Sequence, residues 1–141
     1  MRNSHIDFDT KKLYAIYALD WCKNYFGKSK RKKRDIILKF SKTIERNNRS
    51  IYFAKYCFLR NQILIYLNNC PTTLLITQTI IHEYTHYLQS RTKYYNYKKK
   101  YSYKKNPYEI EAQKNEKLYG KICLKEIENQ FNISKSDISF K

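Results

Sequence analysis

The sequence predicts an α+β fold in which helices at both ends enclose a small sheet. Apolar residues recur at helical spacing near each end of the 141-residue chain. Between them, short runs rich in aromatic and β-branched residues are separated by turn-forming residues, which indicates strands. A chain of this length suits one domain with its own core. We therefore expect a single domain over residues 1–130, followed by a polar tail over residues 131–141.

The N-terminal helix is predicted to start at Lys11. Asp9 and Thr10 can cap its first turn, and Gly27 is a natural stop. Its predicted inward face is formed by residues at helical spacing: Leu13, Ile16, Tyr17, Trp21 and Tyr25. The basic block over residues 28–34 that follows is typical of a solvated linker.

Three strands are predicted in the middle of the chain. Residues 36–40 alternate in hydrophobicity, residues 51–58 are rich in aromatic and β-branched side chains, and residues 63–67 form an apolar run after a turn. Because short apolar runs are ambiguous, a helix over residues 35–46 is the main alternative to the first strand.

Two further helices are predicted after Pro71. Thr72 or Thr73 can cap a helix that runs to about residue 90. Residues 91–105 consist mainly of tyrosine and lysine without an apolar period, so they are expected to form a loop. Asn106 then caps a helix with Pro107 in its first turn, which should continue to about residue 130.

The stretch IIHEYTHYLQS, residues 80–90, forms the second half of the first of these two helices. It holds two of the three histidines in the chain. His82 and His86 are four residues apart, so a helix presents both on one face. Glu83 lies about 100° round from His82, within reach of a water bound to the same ion. This is the HExxH pattern, in which two imidazoles bind zinc and the glutamate is the general base. Two unrelated histidines on a surface helix are the alternative.

A catalytic zinc needs three protein ligands and a water, and the C-terminal helix offers the third. On a helical wheel with Ala112 at zero on the inward face, Glu109 falls at about 60° and Glu111 at about −100°. Glu109 is therefore the predicted ligand and Glu111 the reserve. Glu109 could instead close a capping box with Asn106. Glu116 also lies near the inward face but receives no assigned role.

These motifs resemble those of a known class of enzymes. The string HEYTH, with Glu-x-x-Ala from Glu109 to Ala112 on a following helix, resembles the gluzincin metallopeptidases, and the short chain is similar to single-domain minigluzincins. The string around Glu109 is also similar to that of CAAX-type membrane endopeptidases, although Gln113 stands where that family has an aspartate. Spartan-type proteases are similar in their HExxH motif but use a third histidine, and none follows His86.

The resemblance implies a zincin-like fold and a zinc metalloendopeptidase. It implies a Zn²⁺ held by His82, His86 and Glu109, with Glu83 as general base, and a peptide or protein substrate. The substrate would lie extended against an edge strand at about residues 62–68. Tyrosines of the predicted loop could stabilise the oxyanion: Tyr97, Tyr101 and Tyr103. The alternatives are a nucleic-acid-binding protein and a catalytically idle zincin-like fold with structural zinc.

The formal net charge of +17 is large for 141 residues. It favours an anionic partner, and residues 28–34 and 94–105 interleave cations with aromatic rings in a way that suits weak nucleic-acid binding. The abundance of Lys, Asn, Ile and Tyr is equally typical of compositional drift in an AT-rich genome.

The cysteines and the apolar runs bear on the cellular location. The four cysteines contain no CxxC pair, so we expect reduced thiols: Cys22, Cys57, Cys70 and Cys123. No apolar run reaches the roughly 18 residues of a membrane span, and the N-terminus lacks a signal-peptide core. A soluble cytoplasmic or otherwise intracellular protein is expected, with its oligomeric state left open.

Overall fold

The computed structural model describes residues 6–43 and 52–130 of the chain, so the predicted tail over 131–141 lies outside the described residues. The described part is α+β, as predicted. In chain order its elements are α1 (Phe8–Phe26), β1 (Ile37–Ser41), β2 (Ala54–Cys57), β3 (Gln62–Tyr66), α2 (Thr73–Leu88), α3 (Arg91–Lys100) and α4 (Pro107–Gln130). Short 3₁₀ turns lie at Leu67–Asn69 and Tyr103–Lys105.

The sheet has the order β1-β3-β2, which corrects one expectation. Strand β3 is central, parallel to β1 and antiparallel to β2, so the edge strand expected at residues 62–68 is not at an edge. Its apolar sequence explains this place, because Ile63 and Ile65 are fully buried. The first predicted strand is confirmed at Ile37–Ser41, where the alternative was a helix over residues 35–46. The described sheet has its antiparallel edge at β2 instead.

A tight turn over residues 58–61 joins β2 to β3. Asn61 adopts a left-handed conformation with φ of 51°, which asparagine tolerates well. Its side-chain amide donates to the carbonyl oxygens of Arg34 and Asp35 at 2.9 and 3.1 Å. This turn therefore also holds the end of the basic block.

Helix α1 starts three residues earlier than predicted. Asp7 is the N-cap, and its carboxylate accepts a hydrogen bond from the Thr10 backbone at 2.8 Å. Gly27 is the C-cap, as predicted, with φ of 82°. The predicted inward face is partly wrong, because three of its members are substantially exposed: Leu13, Ile16 and Tyr25. The helix instead buries a face centred on small residues and Tyr14: Tyr14, Ala15, Ala18 and Cys22.

Helix α2 has the predicted N-cap, Thr72, but ends at Leu88. Ser90 caps α3, so the loop predicted over residues 91–105 is wrong for Arg91–Lys100. No residue of α3 is buried, which explains why the sequence shows no apolar period there.

Cations of the basic block cap the C-terminal end of α2. The Lys32 ammonium donates to the carbonyl oxygens of Tyr87 and Gln89 at 2.6 and 3.3 Å, and the Arg31 guanidinium donates to that of Leu88 at 2.9 Å. Cations are favourable at this end of a helix. The block is thus only partly the solvated linker that was predicted.

Helices α2 and α4 pack closely in the middle of the domain. Ala112 is fully buried, as predicted. At Gly120, a Cβ atom would lie only 2.5 Å from Cγ of Gln78, so the Gln78 side chain fills the space that a larger residue would need. The Thr77 hydroxyl donates to the Gly120 carbonyl oxygen at 3.4 Å. This packing brings the HExxH motif of α2 against the first turns of α4.

The remaining expectations concern thiols and membranes. All four cysteines are free thiols, and three are buried: Cys22, Cys70 and Cys123. Within the described ranges, no helix combines the length and the apolar character that crossing a membrane requires.

Candidate metal site

Two histidines of α2 and one glutamate of α4 converge on a single point. Nε2 of His82 lies 3.3 Å from Oε1 of Glu109, and Nε2 of His86 lies 3.2 Å from the same oxygen. The candidate ligand atoms all lie within 4.8 Å of one another. The three side chains are only 13%, 6% and 4% exposed. These residues could hold a metal ion.

The other ring nitrogen of each histidine has an oxygen partner. Nδ1 of His82 donates to Oε1 of Glu116 at 2.6 Å, and Nδ1 of His86 donates to Oε1 of Gln89 at 2.7 Å. A proton on Nδ1 leaves the lone pair of a neutral imidazole on Nε2, the atom that faces Glu109. Both rings are therefore held in the orientation that a metal ligand needs.

Gln89 is itself oriented by two bonds to α4. Its side-chain nitrogen donates to the Tyr108 carbonyl oxygen at 3.0 Å and to Oε1 of Glu111 at 2.7 Å. The amide oxygen is thereby turned towards His86. Glu111, the reserve ligand, thus lies outside the cluster of histidines and acts on it through Gln89.

The position of the Glu109 side chain distinguishes its two predicted roles, third metal ligand and partner of Asn106 in a capping box. At the start of α4, the Asn106 side-chain oxygen accepts from the Tyr108 backbone at 2.9 Å. The Glu109 carboxylate points away from this cap, because one oxygen faces both histidines and the other accepts a hydrogen bond from the Tyr94 hydroxyl at 2.8 Å. The capping-box alternative is therefore not the arrangement observed.

Burial and neighbouring charges shift the pKa values of the site residues. Burial lowers the pKa of His82, but hydrogen bonds to Glu109 and Glu116 outweigh it and raise that pKa to about 10. Burial raises the pKa of Glu109, but the two histidine contacts outweigh it and hold that pKa well below its usual range. Burial raises the pKa of Glu83, opposed by the nearby His82 and His86. These shifts favour a positively charged His82 beside a negatively charged Glu109.

Tyr94 is a site residue that the sequence interpretation missed. Its ring also contacts that of His86 edge-on, with centroids 5.2 Å apart. A sequence signal would have required recognising α3, which turns Tyr94 towards the site while Lys93 and Tyr95 remain exposed. Partial burial of the hydroxyl raises the pKa of Tyr94, and the Glu109 charge raises it further.

The three tyrosines predicted near the reacting carbonyl differ in their surroundings. Tyr103 forms a side-chain hydrogen bond with Glu109, and partial burial of its hydroxyl together with the charge of Glu109 raises the pKa of Tyr103. Tyr97 packs instead against the rings of Tyr101 and Tyr108, with centroids 5.9 and 5.1 Å away. Tyr103 is therefore the member of this set that faces the carboxylates.

Comparison with protein-family models, curated proteins and solved structures finds no match to this chain. Inference about its function rests on the chemistry of the site.

Proposed function

We propose that this protein is a zinc-dependent metallopeptidase of the gluzincin type. In this proposal His82, His86 and Glu109 hold the zinc ion, and Glu83 is the general base for peptide-bond hydrolysis. The observation that carries the proposal is the convergence of both Nε2 atoms on one oxygen of Glu109.

The ligand set fits zinc in both chemistry and spacing. Two imidazoles and one carboxylate form the ligand set of many catalytic zinc sites, which keep a fourth position for water. With bonds of about 2.0–2.1 Å and tetrahedral angles, neighbouring ligand atoms should be about 3.3 Å apart. The separations from the Glu109 oxygen to the two histidine nitrogens are 3.3 and 3.2 Å. Both separations therefore match the spacing of neighbouring ligands on a zinc ion.

The role of Glu83 follows from its place beside the ligands. Zinc, when bound, lowers the pKa of a water towards about 7 and polarises the scissile carbonyl. Glu83 is 8% exposed, and its burial raises its pKa, which favours a group that must accept and then return a proton. It would take the proton from the attacking water and deliver it to the leaving amine.

Strand β2 offers a place for an extended peptide. It is the antiparallel edge of the described sheet, and its Tyr56 ring contacts that of Tyr87 on α2, with centroids 6.4 Å apart. An exposed strand edge can pair with a peptide backbone. We therefore place the substrate along β2, in correction of the edge expected at residues 62–68.

The test compares Glu83→Gln with the parent protein. Glutamine keeps the shape of the side chain but cannot accept the proton, so we expect one zinc per chain by elemental analysis in both proteins. Cleavage of a peptide library, read by mass spectrometry, should fall by about a hundredfold or more in the variant.

His86→Ala is the control for metal binding, and it should lose both zinc and cleavage. Equal cleavage by Glu83→Gln and parent would refute the role of Glu83. One bound zinc without cleavage by the parent would favour the alternative of a catalytically idle fold with structural zinc.

A further inference from the structure

Two basic segments that are far apart in the sequence form one surface. Residues 28–34 contain six Lys or Arg and no acidic residue, and residues 91–105 contain seven Lys or Arg and no acidic residue. We call these two segments together the basic surface. They hold 13 of the 29 Lys and Arg residues of the chain. Such density creates a positive potential that attracts polyanions.

Phe58, at the end of β2, joins the two segments. The Lys32 ammonium lies 5.4 Å from its ring centroid, and the rings of Tyr94 and Tyr95 lie 5.0 and 5.9 Å from it. A groove of about 180 Å³ beside this junction is lined by Lys32, Lys33, Arg34, Phe58 and Asn61. The fold therefore makes the two segments continuous.

Most cations of the basic surface lack an acidic partner. Lys28 pairs with Asp35 at 3.3 Å, and no other Lys or Arg of the two segments forms an ion pair with a carboxylate of the described residues. Arg31 and Lys32 are engaged by carbonyl oxygens of α2. All seven cations of residues 91–105 are exposed. This charge is left for an external anion.

Exposed tyrosine rings lie among these cations. Tyr95, Tyr101 and Tyr103 are 41%, 37% and 60% exposed. The ammonium groups of Lys98 and Lys100 lie 5.9 and 5.8 Å from the ring centroids of Tyr95 and Tyr101. Open rings beside cations are what proteins use to stack unpaired bases while neutralising the phosphates.

We propose that the basic surface binds single-stranded nucleic acid, with phosphates on its lysines and arginines and bases on Tyr95 and Tyr101. An acidic peptide would use the cations but leave the rings exposed. A duplex would hide its base faces from the tyrosines. The proposal does not depend on the metal, so it stands or falls separately from peptidase activity.

The experiment measures binding of a labelled 20-nucleotide single-stranded DNA by fluorescence anisotropy at several salt concentrations. One variant replaces Lys98, Lys99, Lys104 and Lys105 by Gln. A matched control replaces four exposed lysines on α4 by Gln: Lys114, Lys117, Lys121 and Lys125. Both variants lose the same charge, so only a localised surface distinguishes them.

We expect the variant of Lys98, Lys99, Lys104 and Lys105 to bind at least about tenfold more weakly than the parent. The affinity of the α4 control should remain close to that of the parent. The slope of log affinity against log salt should become shallower by about 2 to 3, since each lost phosphate contact contributes about 0.7. Tyr101→Leu should weaken binding about fivefold or more, whereas Tyr25→Leu, at a similarly exposed ring on α1, should not. Binding should survive removal of metal by EDTA.

Three outcomes would overturn the proposal. Equal weakening in both quadruple variants would mean attraction by net charge alone. A second contrary outcome is that polyglutamate competes as well as unlabelled single-stranded DNA at the same charge concentration, while Tyr101→Leu has no effect. That result would indicate an acidic peptide as the partner. Equal affinity for a 20-base-pair duplex would exclude base stacking.

Discussion

At the scale of single residues, the site depends on side chains that do not themselves face the point of convergence. Glu116 and Gln89 hold Nδ1 of His82 and His86 at 2.6 and 2.7 Å, so each imidazole presents Nε2 to Glu109. Such partners fix the tautomer and the ring orientation of a metal ligand. HExxH alone does not reveal them, because Gln89 lies three residues beyond the motif and Glu116 meets His82 only through folding.

Loss of Glu116 should weaken metal binding without removing a ligand. In Glu116→Ala the His82 ring loses its acceptor, so we expect affinity for zinc to fall by about ten- to a hundredfold in a competition titration with a chelating dye. Glu116→Gln keeps an acceptor oxygen and should lose less. Glu126→Ala, on the same helix but bonded to Trp21, serves as the control. Equal affinity in Glu116→Ala and parent would contradict the positioning role.

At the scale of elements, the site requires α2 and α4 to stay at a fixed distance. Helix α2 supplies both histidines, and α4 supplies Glu109 and Glu116. They are packed tightly at Gly120, where a Cβ atom would meet Cγ of the Gln78 side chain at 2.5 Å. Glycine in a helix interior costs about 1 kcal/mol relative to alanine, so close packing is the physical reason for it here.

Gly120→Ala should therefore destabilise the protein despite the better helix propensity of alanine. We expect a loss of about 1–3 kcal/mol in the free energy of unfolding, measured by urea denaturation. In a Gln78→Ala background the obstructing Cγ is absent, and the same change should be neutral or stabilising by up to about 1 kcal/mol. Additive effects of the two substitutions would show that the contact does not set the spacing.

At the scale of the whole molecule, a metal would link the two packed helices. The candidate ligands are separated by more than 20 residues of sequence, from His86 to Glu109. Unfolding separates them, so an ion that binds the folded site stabilises the whole domain. The excess positive charge acts in the opposite sense, because like charges repel in the compact state.

Removal of zinc should lower the thermal midpoint of the parent protein. At free zinc about a hundred times the dissociation constant, binding contributes about 2.7 kcal/mol. Differential scanning calorimetry with and without EDTA measures the change, and His86→Ala should respond to neither zinc nor EDTA. An unchanged midpoint of the parent on chelation would argue against a bound ion at this site.

Features that depend on neighbours along the chain follow from the amino-acid sequence. Helical spacing places His82, Glu83 and His86 within about one turn, whatever the rest of the fold does. The same spacing puts Glu109 rather than Glu111 on the inward edge of α4. Local capping chemistry likewise identifies Gly27 and limits the cap of α2 to Thr72 or Thr73, because caps act within a few residues.

Contacts between residues that are distant in the sequence depend on how the whole domain packs. The tertiary structure places β3 at the centre of the sheet and β2 at its edge, because strand order is set by pairing between remote segments. It packs Tyr94 of α3 against His86 and Phe58, although no residue of that helix is buried. It also brings Tyr94 to Glu109 and joins the two basic segments at Phe58. These contacts arise from long-range packing, which hydrophobic periodicity and short motifs do not encode.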